Sequence, residues 1–155
     1  IDREWSGTTA VKLDYSASPR RERGLHDSTI LSCGPLVYSL RVGAEWKKLR
    51  DRGPFADWEV LPTTPWNYAL VVPEGATLPD LKWEEKPVGS MPFAPDGAPV
   101  LAHVKGRRVP DWKLEHNAAG PVPQSPVMTS EPVEDLTLVP YGCTTLRVTE
   151  FPTTK

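Results

Sequence analysis

Carboxyl groups are the side chains from which this sequence could most readily build hydrolytic chemistry. The chain has 20 Asp and Glu residues, and two carboxyl groups roughly 5 to 10 Å apart across a scissile bond are enough for a glycosidase. Six acidic residues lie near tryptophans in sequence: Glu45, Glu59, Glu84, Glu85, Asp111 and Glu115. Acidic residues at strand edges and in turns are usually only solvated, and no spacing singles out a pair. We therefore expect no catalytic residue in this chain.

Metal ligation and thiol chemistry need closer spacings than this sequence offers. Cys33 and Cys143 are the only cysteines, and their wide separation fits none of the close-spaced zinc or redox patterns. They are either two buried free thiols or one disulfide that joins the ends of the domain. His26, His103 and His116 are scattered, and His103 alternates with apolar neighbours as an outward-facing strand residue does. We expect no metal site here, although a structural calcium held by loop oxygens would leave no sequence signature.

Six tryptophans are more than a domain of this size needs. An indole beside a polar side chain can stack on the C–H face of a sugar ring, as Trp58 and Trp66 would. The candidate carbohydrate-binding residues are Trp58, Trp66, Asn67 and Trp112. Two other uses stay open, because tryptophan is highly buried on average and fills cores or plugs loops, and because aromatic residues are enriched where domains meet.

The composition indicates a single all-β domain. The 155 residues include 18 prolines and 11 glycines, and proline breaks helices when it lies in their interior. Short strands and many turns remain, which favours an antiparallel β-sandwich or jelly-roll-like domain over residues 1–155, with long proline-rich loops and at most one short helix. A net charge of −2 gives no attraction to nucleic acid. The longest apolar runs are far shorter than the roughly 20 residues that span a membrane.

Alternation of apolar and polar residues predicts most of the strands. The predicted strands are residues 11–15, 58–61, 68–72, 81–86 and 100–105, together with a strand pair or one bent strand at 29–42 around Gly34 and Pro35. Two hairpins are predicted, one joining 100–105 to 106–114 and the other joining 136–139 to 145–148 across Pro140, Tyr141 and Gly142.

Three remaining segments lack the alternation of apolar and polar residues that predicts a strand. Residues 44–50 (AEWKKLR) contain good helix formers and the i, i+3 pair Trp46 and Leu49, which predicts one or two helical turns. The charged residues 19–27 are predicted to form a loop. Residues 117–132 hold several prolines without a clear period and are predicted to form an extended surface connection.

Four sequence strings occur in an order that resembles a known enzyme family. They are LSCGPLVYSLRVG (31–43), WEVLPTTPWNYAL (58–70), VPDWKLEHNAAGPVPQSPV (109–127) and LTLVPYGCTTLRVTEFP (136–152). Together they resemble the C-terminal part of glycoside hydrolase family 127, the β-L-arabinofuranosidase-like enzymes, from about residue 5 onward. Each string alone is short and weakly specific.

The resemblance implies a non-catalytic role for this chain. In that family a helical (α/α) barrel carries a cysteine nucleophile and a zinc ion held by cysteines and a glutamate, and β-sandwich domains pack against the barrel. The family's zinc would therefore lie outside this segment, and Cys33 and Cys143 cannot reproduce its cysteine cluster. The chain, which starts at Ile1 without an initiator methionine, is expected to be part of a longer polypeptide, whether periplasmic, secreted or intracellular.

Three functions are weighed on this basis. The first is an accessory domain that supports the catalytic helical-barrel domain of the same polypeptide, which predicts a broad exposed apolar patch. The second is a stand-alone carbohydrate-binding module for plant polysaccharide, which predicts two or three coplanar exposed indoles in a groove. The third is an intact small hydrolase, which predicts a pair of carboxylates in a cleft.

Overall fold

The computed structural model describes residues 2, 4–15 and 17–155, and these form an all-β fold. Strands make up 43% of the chain and helix 4%, which confirms the predicted fold class. The strands are β1 (Pro19–Arg23), β2 (Thr29–Cys33), β3 (Leu36–Leu40), β4 (Ala44–Arg52), β5 (Phe55–Pro62), β6 (Tyr68–Val71), β7 (Lys82–Glu85), β8 (Val100–Arg108), β9 (Leu114–Glu115), β10 (Ala118–Ala119), β11 (Val133–Pro140), β12 (Glu150–Phe151) and β13 (Thr153–Thr154). Two 3-10 helices cover Leu25–Asp27 and Tyr141–Cys143.

Nine strands belong to one sheet that curls into a half-barrel. Its order is β1-β2-β3-β11-β8-β6-β13, with β12 also on β2 and β7 also on β8. Neighbours pair antiparallel except β13, which runs parallel to β6. The remaining strands form two separate hairpins, β4 with β5 and β9 with β10.

The hairpin of β2 and β3 follows directly from its turn residues. Cys33 pairs with Leu36 across the two-residue loop Gly34–Pro35. Gly34 has a φ of +56°, and a positive φ at the first loop position marks a type II′ hairpin turn, where glycine is favoured. The predicted strand pair at 29–42 is confirmed.

The concave face of the sheet encloses the main core, and period-2 alternation decides which residues face it. Tyr38, Leu40, Leu136 and Leu138 are buried there together with Phe151. Burial raises the pKa of Tyr38 to about 12, because the phenolate would be desolvated.

Gly106 of β8 lies where this core leaves no space for a side chain. A Cβ atom at this position would meet Leu136 Cδ1 at 2.3 Å and the carbonyl oxygen of Ala69 at 3.0 Å. The close approach of β6, β8 and β11 therefore depends on glycine.

Smaller clusters cover the sheet from outside. Leu101 and Val139 alternate away from the main core and are buried with Ala98 and Cys143. A third cluster joins Ala69, Val109, Trp112 and Val122. The central strands are therefore covered on both faces, although a single sheet makes up most of the fold. In cross-section the domain resembles a β-sandwich.

Several predicted elements are wrong. Residues 44–50 form strand β4 and not helical turns, because β5 pairs with all of them except the bulge residue Leu49. Residues 11–15 form no strand and stay exposed. Residues 19–27 are not simply a loop, since β1 pairs with β2 from Pro19 to Arg23. The low helix content is as expected and consists of two three-residue 3-10 helices in the described chain.

Both predicted hairpin partners are also wrong. β8 continues straight to Arg108 and pairs there with β6, so residues 106–114 do not fold back on it. After β11 the chain makes a 3-10 helix, and residues 145–148 form no strand. They bend at residues 145 and 146 and lie beside the sheet, where the amide of Leu40 donates to the carbonyl of Val148 at 2.8 Å.

The strands predicted at 58–61, 68–72, 81–86 and 100–105 are confirmed by β5, β6, β7 and β8. The segment 117–132 is largely without regular structure, as predicted, but it also buries Val122 and Ser125. Among the described residues, no helix is long and apolar enough to cross a membrane.

Leu138→Ala tests whether the concave core carries the stability of the fold. Leu138 is fully buried on β11, and such truncations lower the free energy of unfolding by about 2 to 5 kcal/mol. Val133→Ala on the same strand removes an exposed side chain and should cost about 0.5 kcal/mol or less. Urea denaturation of both variants measures the difference, and equal losses would contradict this placement of the core.

Candidate functional site

The hairpin of β4 and β5 projects as an arm, which we call the β4–β5 arm. Every residue of β4 is exposed, and both strands have their extensive contacts with each other only. The tip is again a two-residue Gly–Pro loop, in which Gly53 has a φ of +69°. A bulge at residue 49 interrupts the register between Lys48 and Arg50 and gives the arm an additional bend.

One face of the β4–β5 arm is aromatic. Trp46 and Trp58 meet edge to face, with ring centroids 6.2 Å apart and planes at 80°. The ammonium of Lys48 lies 6.0 Å from the centre of the Trp58 ring. Leu49 and Phe55 are also largely exposed. The arm therefore exposes several aromatic and aliphatic side chains, and its extensive contacts are within the hairpin.

Opposite charges on the arm hold its strands in register. Arg52 Nε donates to Asp57 Oδ2 at 2.7 Å, and Lys47 Nζ lies 3.5 Å from Glu59 Oε2. These pairs are exposed, so each contributes only up to about 1 kcal/mol. An isolated two-stranded hairpin is marginally stable in water, and the ion pairs offset this only in part.

A cleft of about 520 Å³ separates the arm from the body of the domain; we call it the arm cleft. Trp58, Leu61 and the bulge residue Leu49 line its arm side, and Trp66 lies on the body side. Glu59, Asn117 and Arg147 are its most polar contributors.

Two local structures position these polar groups. The β9–β10 hairpin turns through His116 and Asn117, whose φ values are 52° and 63°. Two successive positive φ values define a type I′ turn, which asparagine tolerates well. Arg147 is fixed by its Nε, which donates to the carbonyl of Tyr141 at 3.1 Å, and by its guanidinium, 4.6 Å from the centre of the Tyr141 ring.

The structure brings together two of the four residues selected from the sequence. Trp58 and Trp66 both line the arm cleft. Trp112 is only 5% exposed, and its Nε1 donates to the carbonyl of Gly120 at 2.9 Å. The expectation that Trp112 stacks on a sugar is therefore wrong, because its ring is a core side chain.

Asn67 is likewise committed to the interior. Its Nδ2 donates to the carbonyls of Val109 and Trp112 at 2.9 and 3.1 Å, which uses both of its amide hydrogens. Asn67 thus fastens the chain near Trp112 to the start of β6, and it does not line the arm cleft.

The angles between the tryptophan rings indicate which kind of partner this surface suits. Trp66 packs edge to face on Trp112 with planes at 70°, and the Trp46–Trp58 pair is also edge to face. Neither pair forms the coplanar indoles expected of a flat sugar-binding groove. The exposed arm matches more closely the apolar patch expected of a domain that packs against another.

The carboxylates with displaced pKa values all shift away from general-acid chemistry. Hydrogen bonds from Arg23, His103 and Lys105 hold the pKa values of Asp27, Glu84 and Asp135, respectively, below their usual range. A general acid in glycoside hydrolysis needs a raised pKa.

His103 lies on the outer face of β8, as its alternation predicts, between two neighbouring strands. Its Nε2 lies 2.9 Å from Glu84 Oε2 on β7, and its Nδ1 lies 3.3 Å from Thr137 Oγ1 on β11. The connectivity of hydroxyl, imidazole and carboxylate matches that of a nucleophilic triad. Here, however, it spans three paired strands at mid-sheet and serves as a cross-strand contact.

Neither cysteine belongs to the arm cleft. Cys33 is half-buried, Cys143 is buried, and the two are free thiols. Burial raises the pKa of the Cys143 thiol, which lies 3.3 Å from the carbonyl oxygen of Pro92. The disulfide alternative is therefore not adopted. Within the part of the chain that the structure describes, no group of three or more His, Cys, Asp or Glu side chains could hold a metal ion.

Comparisons with models of protein families, with curated proteins and with solved structures found no match for this chain. The fold and site define it as an all-β domain with a projecting aromatic hairpin.

The two thiols should differ strongly in reactivity. Buried thiols with a raised pKa carry little thiolate, the reactive form, so a disulfide-exchange reagent should modify Cys33 first and Cys143 only after denaturation. Cys33→Ser should remove the fast phase and Cys143→Ser should retain it. Two equally fast thiols, or none before reduction, would contradict this assignment.

Proposed function

We propose that this chain is a non-catalytic accessory domain of a carbohydrate-active enzyme and that its β4–β5 arm packs against the catalytic helical-barrel domain of the same polypeptide. The observation that supports this most is the arm itself. It is a long hairpin whose aromatic and aliphatic side chains are exposed and whose strands pack chiefly on each other.

The energetics of the arm favour a covered state. Trp46, Leu49, Phe55 and Trp58 are all about half exposed or more. Burial of apolar surface contributes roughly 25 cal/mol per Å², so a partner that covers these side chains would stabilise both the interface and the hairpin. Tryptophan, phenylalanine and arginine are also the side chains enriched in interface cores, and the arm carries Arg50 and Arg52.

The nature of the partner is supported by the sequence resemblance alone. Four ordered strings resemble the C-terminal region of β-L-arabinofuranosidase-like enzymes, where β-domains accompany a helical barrel.

A second function, binding of plant polysaccharide, is favoured by the arm cleft. Trp58 and Trp66 offer aromatic surface, while Glu59, Asn117 and Arg147 offer hydrogen-bonding groups around it. A mixture of apolar walls and a few fixed polar groups is typical of small-ligand sites. In this alternative the arm is one wall of a carbohydrate-binding module.

Arm docking can be measured between this chain and the helical-barrel region encoded by the same reading frame, expressed separately. Phe55→Asp replaces an exposed aromatic side chain at the tip of the arm with a charge and should weaken binding at least about tenfold, since a few aromatic contacts dominate interface energies. Met128→Asp, at a site that is 96% exposed and outside the arm, serves as the matched control. A reading frame without a helical barrel, or equal binding by both variants, would overturn the docking proposal.

Carbohydrate binding can be measured by affinity electrophoresis through gels that contain arabinose-rich plant polysaccharide. If the arm cleft binds sugar, the chain is retarded, and Trp58→Ala and Trp66→Ala should each lose retardation. Phe55→Ala, on the same hairpin but outside the arm cleft, should not. Absence of retardation in the parent chain would rule out this alternative for those glycans.

The same polysaccharides test the non-catalytic role. Incubation with the purified chain should release no reducing sugar. Release that a Glu59→Gln substitution abolishes would overturn the proposal, because Glu59 is the carboxylate that lines the arm cleft.

A further inference from the structure

The curled sheet does not close, and its two end strands line a cleft of about 730 Å³, which we call the seam cleft. Strand β1 contributes one wall, and Thr153 of β13 contributes to the other, together with Thr77 and Ser125. The amide of Thr153 donates to Ser125 Oγ at 3.0 Å, which ties that wall to the 117–132 segment. The seam cleft is thus part of the fold's architecture and is distinct from the arm cleft.

Three arginines of β1 line the seam cleft, and two of them already have carboxylate partners. Arg23 donates to Asp27 Oδ1 from Nε, at 2.6 Å, and from Nη2, and the Asp27 carboxylate also lines the cleft. Arg20 Nε lies 3.4 Å from Glu22 Oε1, and its Nη1 donates to the carbonyl of Gly34 at 2.9 Å. These contacts fix both side chains and neutralise part of their charge.

Arg21 differs from its two neighbours. Its Nη2 donates only to the backbone carbonyl of Asp27, at 3.3 Å. Its Nε is buried and has no hydrogen-bond partner among the described residues. A buried, unsatisfied donor on a charged group is costly. Like Arg23, whose effect is larger, Arg21 also lies near enough to the Asp27 carboxylate to lower its pKa, although its hydrogen bond goes to the Asp27 carbonyl.

The arrangement on β1 suits an oxyanion. Alternate residues of a strand point to the same side, so Arg21 and Arg23 share a face about 7 Å apart along the strand. A guanidinium matches the two oxygens of a carboxylate or phosphate with parallel hydrogen bonds. The hydroxyls of Thr77 and Thr153 add neutral hydrogen-bonding groups on the opposite wall.

We propose that the seam cleft binds an oxyanion, a carboxylate or phosphate group, with Arg21 as its principal ligand. Arg23 supports the site because it neutralises the Asp27 carboxylate beside it. The site is independent of the arm and of the proposed accessory role. Arginines on an edge strand also discourage pairing with other sheets, and that role alone would predict no saturable anion binding.

Titrations of the 155-residue chain followed by ¹H–¹⁵N NMR test the site with three probes: inorganic phosphate, galacturonate and the uncharged sugar galactose. Saturable shifts should be confined to the amides of β1, Thr77 and Thr153, and they should weaken as sodium chloride screens the charges. Galactose should cause none of them. Binding of galacturonate alone identifies a carboxylate ligand, and binding of phosphate alone identifies a phosphate ligand.

Substitutions distinguish a specific anion site from a general attraction of anions to positive charge. Arg21→Gln should weaken binding at least about tenfold, and Arg21→Lys should weaken it less, because lysine keeps the charge but lacks the fork. Arg50→Gln removes one charge from the arm and should have no effect. If Arg21→Gln unfolds the chain, Arg23→Gln takes its place with the same expectation. Absence of saturable shifts with both anions, or equal weakening by Arg50→Gln, would overturn the proposal.

Discussion

The division of β3 between two neighbours is the constraint on which the rest of the structure depends. Leu36 and Val37 pair with β2, while Tyr38, Ser39 and Leu40 pair with β11. A strand only five residues long therefore connects two groups of strands and turns the sheet. Leu40 and Leu138 are paired neighbours on β3 and β11, and they pack with Tyr38 and with Phe151 of β12 in one core. A flat sheet of the same strands would leave one apolar face in water.

The curl also explains why both candidate sites lie at the periphery. Large side chains fill the concave interior completely, including Tyr38, Leu70, Leu138 and Phe151, each with an exposure of 1% or less. A small curled sheet of this kind has no internal room for a ligand, unlike a wide barrel. The arm cleft lies where an element leaves the sheet, at the base of the β4–β5 arm, and the seam cleft lies where the sheet fails to close, between β1 and β13.

The sequence predicted the fold class and the strands that have one wet face, because burial on one side produces alternation. It failed where that asymmetry is absent. The β4–β5 arm is solvated on both sides, so residues 44–50 show no period-2 pattern and their helix propensity misled the assignment. The signal was available in Gly53–Pro54, which repeats the Gly34–Pro35 turn of the hairpin that was predicted. At 145–148 the alternation of Leu146 and Val148 is real, since both pack against the core, but a single backbone contact there makes no ladder.

The sequence indicated which residue types form the candidate site, but it did not show which tryptophans are exposed and which belong to the core. Nothing in the sequence distinguishes Trp112 from Trp58, and the difference lies in distant partners: the carbonyl of Gly120 accepts from the indole of Trp112, whereas Trp58 lies on a hairpin that the body does not cover. Leu114 and Asn117 line the arm cleft because the β9–β10 hairpin has a type I′ turn, and Arg147 lines it because it contacts Tyr141. Neither feature can be recognised from the spacing of residues in the sequence. The two clefts consequently differ in chemistry for a structural reason. The arm exposes apolar residues that a sheet would bury, and the seam exposes the arginines that keep an edge strand from pairing, so one cleft suits an apolar or stacking partner and the other suits an anion.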